Sequence, residues 1–142
     1  MSLKWRSLAG IILKGKQLFI ALRKKGTTFG EKWEFPGGKA DECESDEAAL
    51  KREYFEEFGV DIVVDSLFAS SSFQNKEKEY ELYAYLCRFA DEDAEDKIQL
   101  SEHIRWRWAA LDEIYELDFM PSDQALFPAI KTYLEQFDCY DN

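Results

Sequence analysis

The run from Gly38 to Val60, GKADECESDEAALKREYFEEFGV, constrains this chain more than any other segment. Ser45 is a strong N-cap, and Asp46 and Glu47 place negative charge in the first helical turn, where the macrodipole favours it. Residues 46–58 contain no Gly or Pro, and Gly59 stands where a helix stop is expected, so one helix is predicted here. Leu50, Tyr54 and Phe58 recur every four residues as an apolar stripe. Glu53, Glu56 and Glu57 fall at i, i+3 and i+4 and share the neighbouring face. Carboxylates packed that closely repel one another unless water, a cationic partner or a metal ion intervenes. Hard oxygen ligands suit Mg²⁺ or Mn²⁺. Arg52, one turn before Glu56, can pair with it and orient the cluster. A solvated acidic face is what most Glu-rich helices present, and the trio alone does not exceed that reading.

The surrounding residues do. Gly38 is followed after five residues by Glu44, after seven more by Arg52 and Glu53, and then by Tyr54, Glu56, Glu57, Gly59 and Val60. This resembles the Nudix box, G-x5-E-x7-R-E-U-x-E-E-x-G-U with U apolar. Seven fixed identities at about 5–7% usage each make a chance match on the order of 1 in 10⁸. The preceding WEFPGGK, Trp33 to Lys39, resembles the mutator-type (MutT-like) members of that family. The specific match is confined to residues 33–60, although the likeness extends over essentially the whole chain.

The resemblance implies the Nudix fold, a mixed β-sheet sandwiched between helices in an α+β or α/β arrangement, with residues 1–142 as a single domain. It implies Mg²⁺-dependent hydrolysis, with Mn²⁺ as a substitute, of a nucleoside triphosphate to a monophosphate and pyrophosphate. Glu53, Glu56 and Glu57 would be the principal metal ligands, supported by Glu44 and the Gly37–Gly38 backbone. Arg52 would orient them, and either Glu53 or Glu102 would be the general base. Glu102 can equally be an exposed acid at a strand edge. Arg23 and Lys39 resemble the phosphate-contacting cations, although Arg23 can also be a strand-end charge. Glu34, Phe35 and Asp123 fall on the substrate side, with Asp123 as the base reader. If ionised, Asp123 would accept hydrogen bonds from an exocyclic amine or ring N–H, and the competing role for it is a helix cap. Tyr83, Tyr85 or Phe35 could stack on a base. Oxidised nucleotides such as 8-oxo-dGTP are the leading substrate class, with CTP, dCTP and their methylated forms as the alternative. ADP-ribose or another linked diphosphate comes next, disfavoured because no proline lies between Pro36 and Pro121. A non-catalytic nucleotide sensor is the reading from a different class, and the intact box argues against it. Two departures from the family pattern stand out. Cys43 occupies a position where relatives often have Gly, which would strain a positive φ, and Tyr54 is bulkier than the usual aliphatic residue.

Composition narrows the partners. The net charge of −11 argues against duplex nucleic acid. Residues 1–39 nevertheless hold nine Lys and Arg against two acids, a local balance of +7 that leaves −18 for the remainder. A basic third facing an acidic helix suits a site with phosphates on one side and metal on the other. No apolar run reaches membrane-spanning length, and the three cysteines are odd in number, which suggests reduced thiols in a cytoplasmic protein, monomeric or homodimeric. The lone His103 excludes a histidine-rich zinc site.

Strands are predicted at 4–13 and 17–23 around a Lys-Gly turn, at 33–35, 61–73, 79–89 and 103–109. The box from Gly38 supplies a loop and then the helix, and residues 91–97 read as an acidic loop. Short and long helices are expected at 111–117 and 122–137.

Overall fold

A computed structural model describes residues 4–26 and 30–140. Its elements are β1 (Lys4–Lys14), β2 (Gln17–Arg23), β3 (Trp33–Glu34), β4 (Gly37–Lys39), α1 (Asp46–Phe58), β5 (Ile62–Asn75), β6 (Lys78–Phe89), α2 (Ala94–Lys97), β7 (His103–Ala110), α3 (Leu111–Ile114), α4 (Pro121–Gln124) and α5 (Phe127–Tyr140).

β1 is the axis. It runs parallel to β6, and β5 continues that side antiparallel to β6. On its other edge β1 divides its pairing. Ser7–Ala9 pair with β4, whereas only Leu13 and Lys14 pair with β2. β2 in turn pairs with β7 and, at its far end, with β3. The segment from Trp33 to Lys39 therefore crosses the gap where β1 and β2 diverge, and the Gly10 N–H donates to the Pro36 carbonyl at 2.8 Å. The period-2 alternation of β1 and β2 sends Ala9, Ile11, Leu18 and Ile20 to one face and Leu8, Ile12, Phe19 and Ala21 to the other. The first set packs with Ile114, Leu126, Ile130 and Leu134, and the second with Leu50, Tyr54 and Phe58 of α1. The result is a mixed sheet between helices, as expected.

Four local expectations change. Gly37–Lys39 is a strand, because Gly37 lies so close to β1 that a Cβ would stand 1.9 Å from the Leu8 carbonyl oxygen. Residues 94–97 form a helical turn over buried Ala94. α3 ends at Ile114, three residues short of the expected length. The final helix divides into α4 and α5 because Pro128 has no N–H for an interior turn and is tolerated only within the first turn of α5. Among the described residues, no helix is long and apolar enough to cross a membrane.

Candidate active site

Helix α1 has the predicted ends. Ser45 Oγ accepts the Ala48 N–H at 3.1 Å, and Gly59 closes the helix at φ 70° with its N–H on the Phe55 carbonyl. Leu50, Tyr54 and Phe58 are fully buried, which fixes the orientation of the acidic face. The bulk of Tyr54 is accommodated at Gly10, where a Cβ would come within 2.9 Å of its ring, and Tyr54 Oη donates to the Gly10 carbonyl at 3.2 Å. Cys43 is not strained, since its φ lies outside the positive region.

Arg52 ties the acids together more widely than its spacing suggests. Its Nε and Nη2 grip both oxygens of Glu44 at 2.8 and 2.9 Å, and Nη1 reaches Glu53 at 2.9 Å and Glu56 at 3.3 Å. Nη2 also donates to the Lys39 carbonyl at 3.2 Å, which joins the cluster to β4. The planar fork of guanidinium allows this; an ammonium could not serve so many acceptors in fixed directions.

Glu57 stands apart from that network. Its Oε2 is buried without a hydrogen-bond partner among the described residues. Burial, then the nearby Glu34 and Glu53 carboxylates, push its carboxyl up to about 9. Glu53 is also pushed above the ordinary carboxylate range by burial, against the pull of Arg52. No three His, Cys, Asp or Glu side chains among the described residues meet as a ready-made cage. The donor set nevertheless fits a hard divalent cation. Two desolvated carboxyls lie beside the exposed Glu56, and an orphaned oxygen would gain most from positive charge.

Beside this cluster lies a cleft of about 620 Å³. Arg23, Glu34, Phe35, Gly37, Gly38, Lys39 and Asp123 all line it, so the residues expected on the substrate side are brought together. Gly38 separates the cleft from the acids: a Cβ there would meet the Glu53 carboxyl carbon at 2.4 Å. At one end Lys39 Nζ lies 3.3 Å from Tyr80 Oη and over the Tyr80 ring. At the other, Asp123 is 6% exposed and accepts the Phe35 N–H at 2.9 Å. Asp123 does not cap a helix, because α4 has no side-chain cap. Burial, then the Glu34 charge, push its carboxyl up to about 8, which favours the protonated form around neutrality. Glu34 is bonded to Arg23 Nη1 at 3.3 and 3.4 Å and to His103 Nε2 at 2.7 Å.

Other expected groups sit elsewhere. Tyr83 and Tyr85 do not line the cleft; they bond to Glu81 and Asp46 respectively. The Phe35 ring is packed on Phe119 at 4.9 Å and is 2% exposed, so its backbone N–H is what it offers Asp123. Besides Phe35, the aromatic residues on the cleft wall are Phe73 and Tyr80, stacked at 5.1 Å. Glu102 is largely exposed, 3.5 Å from Lys24 Nζ, yet near enough to the acidic cluster for its charge to act on the Glu57 carboxyl. Sequence reasoning passed over His103 as a group in the site, although its place beside Glu102 was a signal.

The NUDIX domain family matches residues 4–130. An 8-oxo-dGTP diphosphatase of Haemophilus influenzae is 37% identical over 70 residues, 49% of this chain and 52% of that protein. The chain thus spans about half the length of the first such curated relatives it matches. An 8-oxo-dGTP diphosphatase of Buchnera aphidicola (subsp. Schizaphis graminum) is 31% identical over 110 residues, 78% and 80% of the two chains. The CTP pyrophosphohydrolase of Escherichia coli is 29% identical over 122 residues, 86% and 87% of the two. The solution structure of the E. coli ORF135 protein superposes with a TM-score of 0.80 at 26% identity, covering 92% and 91%.

Proposed function

The chain belongs to the NUDIX domain family, and on that premise we propose that it hydrolyses a nucleoside triphosphate to a nucleoside monophosphate and pyrophosphate. The observation that carries this reading is the single glycine separating the acidic face of α1 from a cleft with buried polar groups at its far end. Glu53, Glu56 and Glu57, with Glu44 and the Gly37–Gly38 backbone, would hold Mg²⁺ or Mn²⁺. Such an ion, when bound, neutralises phosphate charge and activates water. Arg52 keeps the carboxylates in register. Lys39 and Arg23 add positive charge along the phosphate path, which the transition state needs as charge spreads over its equatorial oxygens. Glu53 or Glu102 takes the proton of the attacking water, and Glu34 and Asp123 face the base. A cytoplasmic protein, monomeric or homodimeric, accords with this role.

The test is initial rates with Mg²⁺ against 8-oxo-dGTP, dGTP, dCTP, CTP, 5-methyl-dCTP and ADP-ribose, with phosphate and pyrophosphate separated. Metal-dependent pyrophosphate release that is lost in Glu56→Gln or Glu57→Gln supports the reading. Release from none of them refutes it.

The relatives named 8-oxo-dGTP diphosphatase favour oxidised guanine. The CTP pyrophosphohydrolase likeness favours a second reading, a cytosine nucleotide. Asp123 does not decide between the two, since a carboxyl that burial helps to stay protonated donates as well to the ring nitrogen of cytosine as to a guanine acceptor.

A further inference from the structure

We propose that His103 is a positioning residue that orients the Glu34 carboxylate in the cleft and thereby sets which base is accepted. The inference rests on the nucleotide reading above. The His103 side chain is fully buried, with Nε2 at 2.7 Å from Glu34 Oε2. A carboxylate only accepts, so Nε2 carries the proton and donates. The ring lies on Phe58, centroids 5.2 Å apart and planes at 17°, so it cannot turn without disturbing the packing of α1. Its Nδ1 is buried and has no hydrogen-bond partner among the described residues. The ring is thus held by the Nε2 bond and the Phe58 stack, with no protein partner at Nδ1 to compete for its orientation.

The second hold on Glu34 is looser. Arg23 Nη1 stands 3.3 and 3.4 Å from the two oxygens, longer than the roughly 2.7–2.9 Å of a strong charge-assisted bond. A third of the Arg23 side chain is exposed, which leaves it free to turn toward phosphate. His103 is therefore the short, rigid constraint on a cleft carboxylate beside Asp123.

Three variants test this, each assayed for thermal stability and for kcat and KM on 8-oxo-dGTP, dGTP, dCTP and CTP. His103→Phe keeps the stacked ring and removes the donor. His103→Gln can place an amide N–H near the former Nε2, whereas His103→Asn is too short to reach Glu34. We expect Phe and Asn to raise KM for the preferred nucleotide on the order of tenfold, the worth of a hydrogen bond to a charged group, and to flatten the base preference. Gln should restore much of both. If Phe does not fold, the Gln and Asn pair decides. Unchanged base preference in Asn, or a parallel fall in kcat on every nucleotide that Gln does not rescue, overturns the role of His103 alone. A wild-type protein inactive on every nucleotide overturns the underlying reading as well.

Discussion

Replacing Gly38 with Ala should separate the site from the fold. The added Cβ would lie 2.4 Å from the Glu53 carboxyl carbon and 2.6 Å from Oε1, against 3.4 Å for ordinary contact, so the carboxylate must move by about 1 Å. The atoms in the way are the end of a flexible side chain, and the Gly38 φ lies outside the positive region, so Ala fits the backbone. The loss of chain entropy in the unfolded state favours Ala by roughly 0.4–1 kcal/mol. It roughly offsets disturbing the 2.9 Å bond from Arg52 to Glu53. Thermal midpoints should then agree within about 4 °C. Metal ligation tolerates only about 0.2 Å, and a misplacement of 1 Å costs on the order of 10²-fold in rate. Gly37→Ala is the contrast: its Cβ would fall 1.9 Å from the backbone oxygen of Leu8, which has no room to move, so β4 must unpair and stability should fall sharply. The assay is Mg²⁺-dependent pyrophosphate release beside thermal unfolding. A Gly38→Ala protein with wild-type rate and metal dependence would refute the argument that this glycine exists to let Glu53 meet the cleft.

Arg52→Lys retains the charge but cannot reproduce the fork that serves Glu44, Glu53, Glu56 and the Lys39 carbonyl; saturating rates should fall at least about tenfold with the fold intact by circular dichroism. Asp123 has a folded-state value near 8, above its ordinary 3.8, so the folded protein binds the extra proton and stability declines as pH rises between these values. The slope has a ceiling of about 1.4 kcal/mol per pH unit. Asp123→Asn should remove that part of the decline, read as a smaller difference in unfolding free energy between pH 5 and pH 8; an unchanged difference would contradict the burial argument. Phe19 is fully buried against Tyr54, Phe58, Phe89, Trp106 and Trp108, so Phe19→Ala should cost about 3–5 kcal/mol in denaturant titration.

What could be read in advance was local. The ends of α1, its buried stripe and the spacing of its acids depend on residues within one or two turns, and these signals survive folding unchanged. The breadth of the Arg52 network was not local, because Glu44 and the Lys39 carbonyl return to it through a loop. Strand β4 contradicts the weak β preference of glycine, since close pairing with β1 needs the absence of side chains. The break before α5 is written in Pro128, against the apolar spacing of Ala125, Ile130 and Leu134 that suggests one continuous helix. Asp123 was legible as a residue near the site, but its proton depends on burial that assembly alone creates. His103 meets Glu34 across 69 positions of chain, a distance no motif bridges.

The crossing segment Trp33–Lys39 acts as a ruler. Its first end is fastened to β2 and its last to β1, so the interval between Glu34 and Lys39 is calibrated by five residues, at most about 18 Å of chain. On the proposed reading, with Glu34 toward the base and Lys39 toward the phosphates, this interval would gauge a substrate by length as well as by base. One residue inserted after Pro36 would shift the scale by a notch and turn every mark beyond it to the opposite face of the sheet.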